Sequence, residues 1–386
     1  MSGTISPPPS KRRKLSGSEA ITPYTDDLTV YSWNVNGIQP ILQRPITAFF
    51  RSQQLEKPHD GNLKASLRDF LRRHNWPSLL FLQEVKISPD DTSSIRSLEK
   101  AVRADPRNST GEPDYVAHLC LPSDKHNARG FGRRVYGVCS IIRTDFAEKY
   151  VARVRPVEWD TEGRYLVTET RAVDGKPKLA LFNVYMVNGT DNAYRNPLTG
   201  EMAGTRHDRK LQAHKLLAAE CRDLQVEGFG IVIAGDINIA RTALDGFPHL
   251  RTFPRQHCIN RADFEARFLS RPSASVSDLD STPTAEANAE PAPDEKSEDA
   301  ALGMIDTFRH LHLDKKGYTY YPRGKAFGES CDRVDMVIVS DSLEHYIAEA
   351  GMHETPGDRG PSDHVPLYAR LAFKKASRKP TEIEQA

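Results

Sequence analysis

Ile231-Val232-Ile233-Ala234-Gly235-Asp236-Ile237-Asn238-Ile239-Ala240, closed by Asp245, is the stretch that decides how this chain folds. A short β-branched run bounded by glycine suits a strand buried in a sheet. Gly235 lets the chain turn at the strand end. Asp236 and Asn238 then emerge two residues apart and point the same way. A carboxylate so placed can take a proton from an attacking water while the amide holds the water or a phosphoryl oxygen, which suits phosphate-ester hydrolysis. Standing alone, Gly-Asp-x-Asn is equally an Asx-type turn, so the other strand ends must decide.

Trp33-Asn34-Val35-Asn36-Gly37 repeats the pattern, with two amides facing one side of a strand end and a turn as the plain alternative. Leu80-Phe81-Leu82-Gln83-Glu84-Val85-Lys86 is an apolar strand ending in a carboxylate. A carboxylate there is costly unless a cation neutralises it, either a divalent metal or Lys86 in a surface pair. Tyr185 and Asn188 mark a further strand end, although a strand tyrosine is more often core. Towards the C-terminus come Cys331-Asp332-Arg333-Val334-Asp335 and Ser362-Asp363-His364. Asp363 can ligate a metal, and His364 can donate to a phosphoryl oxygen if a carboxylate such as Asp335 holds its other nitrogen.

At 386 residues, with 38% hydrophobic and 27% charged, the chain has material for one large α/β domain. It carries no apolar run long enough to span a bilayer and no signal-peptide pattern. A net charge of +1 means that binding to nucleic acid must rest on local basic patches. Five widely spaced cysteines without Cys-x-x-Cys point to reduced thiols and away from a zinc site.

Strands are expected at 28–33, 79–83, 136–142, 165–170, 179–187, 231–236, 334–339 and 365–373, with helices at 63–74, 208–225 and 260–269. Their irregular alternation predicts an α/β fold of two packed sheets flanked by helices rather than a regular βαβ winding. Residues 1–23 read as a disordered tail whose Lys11-Arg12-Arg13-Lys14 run resembles a nuclear localisation signal or a phosphate-binding arm. Residues 24–373 read as one catalytic domain. Residues 271–300, with eight acids against two basic residues, read as a disordered insertion within it, and 374–386 as a frayed tail.

Taken in order, Asn-x-Asn, Gln-Glu, Tyr/Asn, Gly-Asp-x-Asn, Asp and Ser-Asp-His resemble the endonuclease/exonuclease/phosphatase superfamily, with its DNase I-like four-layer α/β sandwich. Within it, Leu82-Gln83-Glu84 with Lys86, the 235–240 run with Asp245, and Asp306-Thr307-Phe308-Arg309 before Arg333-Val334-Asp335 are most similar to the exonuclease III type of abasic-site endonucleases. The resemblance implies a Mg²⁺-dependent (or Mn²⁺-dependent) nuclear, monomeric DNA repair phosphodiesterase. Its substrate would be double-stranded DNA, cleaved 5′ to abasic sites or trimmed at blocked 3′ ends. It implies Asp236 as base, Asn238 positioning the water, and Glu84 and Asp363 on the metal with Asn36 close by, Asp236 and Asn238 also counting among the metal's ligands. His364, oriented by Asp335, would stabilise developing charge. Tyr185 and Asn188 would bind the scissile phosphate, and Asn34 the phosphate region. A same-fold phosphatase, an RNA-directed nuclease and a non-catalytic DNA-binding scaffold are the rivals.

Three features depart from the family pattern. Asn36 stands where many relatives have Asp. A basic stretch with Lys125, Arg129, Arg133 and Arg134 replaces a usual backbone-contacting motif, and is expected to contact phosphates or to be a solvated loop. Asp332 stands where abasic endonucleases often carry Trp, leaving Tyr320, Tyr321 and Val334 as the wall for a flipped-out sugar. In the 188–209 insertion, Arg209 is the expected phosphate contact, with pairing to nearby acids as its alternative.

Overall fold

The computed structural model describes residues 27–42, 66–104, 111–128, 136–269 and 300–373. One six-stranded sheet runs, edge to edge, β15 (Ile347–Met352), β16 (Leu367–Leu371), β1 (Leu28–Asn34), β2 (Leu79–Gln83), β4 (Val138–Arg143) and β3 (Tyr115–Cys120). The other runs β12 (Ile305–Asp306), β14 (Asp335–Val339), β10 (Gly230–Asp236), β7 (Leu179–Tyr185), β6 (Tyr165–Thr170) and β5 (Val151–Pro156). Two short antiparallel pairs, the hairpin β8 (Ala193–Arg195) with β9 (Met202–Thr205) and the long-range pair β11 (Gly246–Phe247) with β13 (Cys331–Asp332), stand outside them. The helices are α1 (Gln39–Leu42), α2 (Leu67–Arg73), α3 (Thr92–Val102), α4 (Thr144–Tyr150), α5 (Arg206–Val226), α6 (Gln256–Phe264), α7 (Thr307–Leu311) and α8 (Pro356–Arg359).

The central strands are apolar throughout because both of their faces are covered. In β10, Val232 and Ala234 face the opposite sheet, where they join Leu79 and Phe81 of β2. Ile231 and Ile233 face outward onto Leu217, Cys221, Phe264 and Phe268 of the helical layer. In β2 the alternate residues Leu80 and Leu82 pack under Phe70, Leu71 and Leu98. Period-two alternation thus builds helix, sheet, sheet and helix in four layers. Each fully buried Leu, Ile or Phe in them contributes about 1.5–3 kcal/mol.

All eight expected strands are present, within two residues at most ends. The edge strands β3, β5 and β15 were not expected. The expected helix at 208–225 runs 206–226, started by a Thr205/Asp208 capping box. The described chain stops at Leu269 and resumes at Ala300, where Leu302 and Met304 donate to the carbonyls of Arg267 and Phe268 at 2.9 and 2.7 Å. The rest of the expected insertion, both tails, and Arg129, Arg133 and Arg134 lie outside the described residues. Among the described residues, no helix is long and apolar enough to cross a membrane.

Behind the first sheet, Tyr31 Oη meets His74 Nδ1 and His353 Nε2, each at 3.3 Å. Burial, with His353 alongside, holds the His74 imidazole down to about 4, and burial lowers His353 as well. Unfolded histidine takes up a proton below about 6.5, whereas folded His74 does so only near 4. Stability is therefore fully present above that unfolded value and is lost as pH falls towards 4. Scanning calorimetry should show Tm dropping between about pH 7 and 5, and His74→Phe should shrink that drop; buried His214, also held to about 4, supplies part of the remainder. An equal drop in the variant would acquit His74.

Candidate active site

Strand register decides which side chains meet. Asp236, the last residue of β10, lies opposite Asp335 of β14 and Tyr185 of β7. In the other sheet Asn34 ends β1 opposite Gln83 of β2, so Glu84 follows beside it. Buried amides join the two sheets here. Gln83 Nε2 donates to Asn183 Oδ1 at 2.8 Å, and Asn34 Nδ2 donates to Glu84 Oε1 at 3.1 Å and Asp236 Oδ2 at 3.0 Å.

Local backbone shape serves the same end. A Cβ on Gly235 would lie 1.9 Å from the Val184 carbonyl oxygen, so only glycine lets β10 approach β7 at that point. Asn36, Glu84, Lys86 and Asn238 all hold φ between 48° and 56°. Such strain costs roughly 1–3 kcal/mol per non-glycine residue and persists where surrounding contacts enforce it. The contacts are visible. Asn36 Nδ2 donates to Asp363 Oδ1 at 2.9 Å, its Oδ1 accepts from Lys86, and Lys86 pairs with Glu84 at 2.8 Å. Asn238 donates its backbone N–H to Asp236 Oδ1 at 2.9 Å and its Nδ2 to the Met186 carbonyl at 3.0 Å.

Ser362-Asp363-His364 is pinned to the end of β1. Ser362 Oγ donates to the Asn34 carbonyl at 2.5 Å, and Trp33 Nε1 donates to the His364 carbonyl at 3.0 Å. His364 Nδ1 lies 2.8 Å from Asp335 Oδ2. Burial would push the His364 imidazole down, but Asp335, with Asp236 and Asp363 beyond it, raises it to about 10. At neutral pH it is an imidazolium with Nε2 left to donate. Asp236, 1% exposed, is raised to about 7 by burial and then by the Asp335 carboxylate. Burial also works against ionised Glu84, but the Lys86 ammonium outweighs it and holds the carboxyl below its usual range.

These groups open onto a cleft of ≈ 230 Å³. Glu84, Tyr185, Asp236, Asn238, Asp363 and His364 line it, with Asn188, Tyr320 and Val334 at its walls. Asn34 and Asp335 sit behind the lining, wholly buried. Asn34 therefore acts on Glu84 and Asp236 instead of reaching a phosphate, which corrects the expectation for it. Glu84 and Lys86 do pair, but inside the site and not on a solvated surface.

Two further expectations are overturned. Arg209 is 5% exposed, its guanidinium set between Asp160 and Glu162 at 3.7 Å and within 5.4 Å of the Tyr194 ring centroid, so it does not reach the cleft. Arg206 likewise pairs with Glu162 at 2.7 Å, while Asp208 caps the helix. Tyr321 is buried on Phe327 and donates its hydroxyl to Glu354 at 3.0 Å, leaving Tyr320 and Val334 as the wall. Asp245, Asp306 and Arg333 form a buried ionic cluster that sets the approach of β14 and carries no cleft chemistry. Sequence reasoning missed Lys86 as a donor to Asn36, and missed Arg251, His257 and Arg261 as cleft lining.

Among the described residues, the one group of three carboxylate or histidine side chains whose ligand atoms lie within 4.8 Å of one another is Asp236, Asp335 and His364. Among the described residues, Asp335 Oδ1 is buried without a hydrogen-bond partner. The carboxylates of Asp236 and Asp335, with those of Glu84 and Asp363, supply hard oxygen donors that fit a divalent cation of the Mg²⁺ or Mn²⁺ kind.

The model of the Endonuclease/Exonuclease/phosphatase family matches residues 31–364, and the chain belongs to that family. It is 26% identical over 372 residues to DNA-(apurinic or apyrimidinic site) endonuclease 2 of Saccharomyces cerevisiae, covering 88% of this chain and 66% of that protein. It is 22% identical to Recombination repair protein 1 of Drosophila melanogaster, over 88% of this chain and 36% of that one. The chain thus spans about two thirds and about one third of these relatives. Among solved structures, the AP endonuclease LMAP of Leishmania major superposes with a TM-score of 0.58 at 18% identity, covering 90% of this chain and 88% of that one. The Xenopus laevis APE2 catalytic domain does so with 0.56 at 16% identity, covering 89% and 92%. These likenesses fix the DNase I-like sandwich.

Proposed function

We propose that this chain is a Mg²⁺-dependent DNA phosphodiesterase of base excision repair, which cleaves 5′ to abasic sites, trims blocked 3′ ends, or both, and leaves a 3′-hydroxyl. The observation that carries the reading is Asp236, buried at a strand end, steered by Asn34 and Asn238 and facing the Asp335–His364 pair. In this reading Asp236 Oδ2 takes the proton of the attacking water, and a carboxylate raised towards neutrality is suited to accept it. Asn238 holds the turn that presents that water. His364 Nε2–H donates to a non-bridging phosphoryl oxygen, with Asp335 fixing the tautomer. Tyr185 and Asn188 bound the phosphate. Glu84 and Asp363, with Asn36 beside them, would hold Mg²⁺, which offsets charge on the phosphoryl group and on the leaving 3′ oxygen. A nuclear location rests on Lys11-Arg12-Arg13-Lys14 alone.

Incubation with Mg²⁺ and two labelled duplexes, one holding an internal abasic analogue and one a blocked recessed 3′ end, tests this. Incision or trimming abolished by EDTA is expected. Silence on both duplexes, with turnover of RNA or a phosphomonoester, would transfer the assignment to a same-fold rival. Glu84→Gln should raise the Mg²⁺ concentration for half-maximal rate by about tenfold or more, and an unchanged metal titration would remove Glu84 from the ligand set.

A further inference from the structure

Where the cleft meets α5, α6 and the loop that joins β11 to α6, its lining is basic. Lys210, Arg251, His257 and Arg261 line this end, with Asp332 set against them. The loop is tethered. Arg261 donates to the Ala240 carbonyl at 2.7 Å and the Arg251 carbonyl at 2.8 Å, and the Arg251 guanidinium pairs with Asp332 at 2.9 Å. Lys210, only 2% exposed and lowered by burial to about 7, aims its Nζ at the carbonyls of Asn238 (2.9 Å) and Ile237 (3.4 Å). Burial holds His257 below its ordinary range, and His207, Arg251, Lys210 and Arg261 lower it further. The Arg251 and Arg261 guanidiniums, brought together against the one Asp332 carboxylate, repel one another, and neither is used by hydrolysis at Asp236. Tyr320 pairs through its backbone with both Asp332 and His364, so this basic end adjoins the site of reaction.

We propose that Lys210, Arg251, His257 and Arg261 form a second anion subsite, which takes a phosphate group next to the scissile phosphate on the substrate strand. The proposal rests on the phosphodiesterase reading above. Arg251 is the arm that moves. Its side chain is 55% exposed and, among the described residues, is held only by Asp332, so an arriving phosphate competes with that carboxylate for a bidentate guanidinium. The phosphate has two chemical sources: the next internucleotide phosphodiester, or a terminal phosphomonoester at a blocked 3′ end.

Inorganic phosphate titrated into the full chain in EDTA, followed by the ring resonances of His257, tests the subsite without turnover. A saturable shift is expected in the parent, at least about tenfold weaker in Arg251→Gln and partly restored in Arg251→Lys. No saturable shift, or one unchanged in Arg251→Gln, overturns the proposal. The two sources are then separated on DNA. With the internucleotide phosphate as ligand, Arg251→Gln raises KM about tenfold on the abasic duplex. Replacing the adjoining phosphate by methylphosphonate then does the same to the parent and adds nothing to the variant. With the terminal group as ligand, the variant's penalty appears on 3′-phosphate ends and not on 3′-hydroxyl ends. A parent that binds phosphate at His257 but neither binds nor cuts DNA would sink the functional reading and leave the subsite standing.

Discussion

Asp236→Asn is expected to lower kcat by about 10²–10⁴ while leaving the dissociation constant for substrate DNA within about twofold, because it removes the base and no phosphate contact. The substitution keeps the size of the side chain. One amide oxygen can still accept the Asn238 backbone N–H, now 2.9 Å from Oδ1. What disappears is the site for the water's proton, which is also the acceptor for Asn34 Nδ2, and with it a negative charge that burial and Asp335 hold at a cost. A carboxyl raised from its ordinary value destabilises the fold when ionised. The variant should therefore melt no lower than the parent at neutral pH. That second readout separates chemistry from structure: a fall in kcat with unchanged or higher Tm supports Asp236 as base. A fall in both means that the amide disrupts the turn, and unchanged turnover ends the assignment.

The parts of this fold legible in the sequence are those where one local rule operates alone. β2, β7 and β10 are covered on both faces, so each is a continuous apolar run, and each ends in polar residues at the same edge of its sheet. Pairs at i and i+2, such as Asn34 with Asn36 and Asp236 with Asn238, are readable because the strand period fixes their direction. The edge strands carry no such run. β5 exposes Ala152, Arg153 and Pro156 and only partly covers the rest, and the same half-exposure hides β3 and β15. Arg209 looked like a phosphate ligand because its fate depends on Asp160 and Glu162, about fifty residues away and adjacent only after folding. The basic end of the cleft was hidden for a related reason. Lys210 lies on the buried face of α5, Arg251 comes from a loop with no motif, and Arg261 stands on α6 and meets Arg251 only after folding.

Arg333 supplies the largest expected effect on stability. Its side chain is fully buried, donating to Asp245 Oδ1 at 2.7 Å and to both oxygens of Asp306 at 3.2 and 2.7 Å. Arg309 also reaches Asp245 at 2.7 Å, and Arg241 bridges Asp306 at 2.8 Å to Glu265 at 2.6 Å. Arg241, Arg309 and Arg333 thus balance Asp245, Asp306 and Glu265, and removing one arginine leaves a buried negative charge uncompensated. Arg333→Met is expected to cost about 3–5 kcal/mol in denaturant unfolding. Arg333→Lys, which keeps the charge but loses the fork that binds Asp306 twice, should cost less. The pH dependence has a definite sign. Burial opposes ionised Asp306, but Arg333 outweighs it and holds the carboxyl to about 2, and Asp245 is lowered in the same way. Their contribution is present above the unfolded carboxyl value near 4 and is lost as pH falls towards 2. Without Arg333 both carboxyls should titrate higher, so the penalty should be greater at about pH 7 than at about pH 4. Asp306→Asn placed on top of Arg333→Met should recover about 1 kcal/mol or more, since it removes the stranded charge. Strictly additive losses, or a penalty indifferent to pH, would mean that Arg333 acts by filling space, and the ionic account of how β14 delivers Asp335 to the site would fall with it.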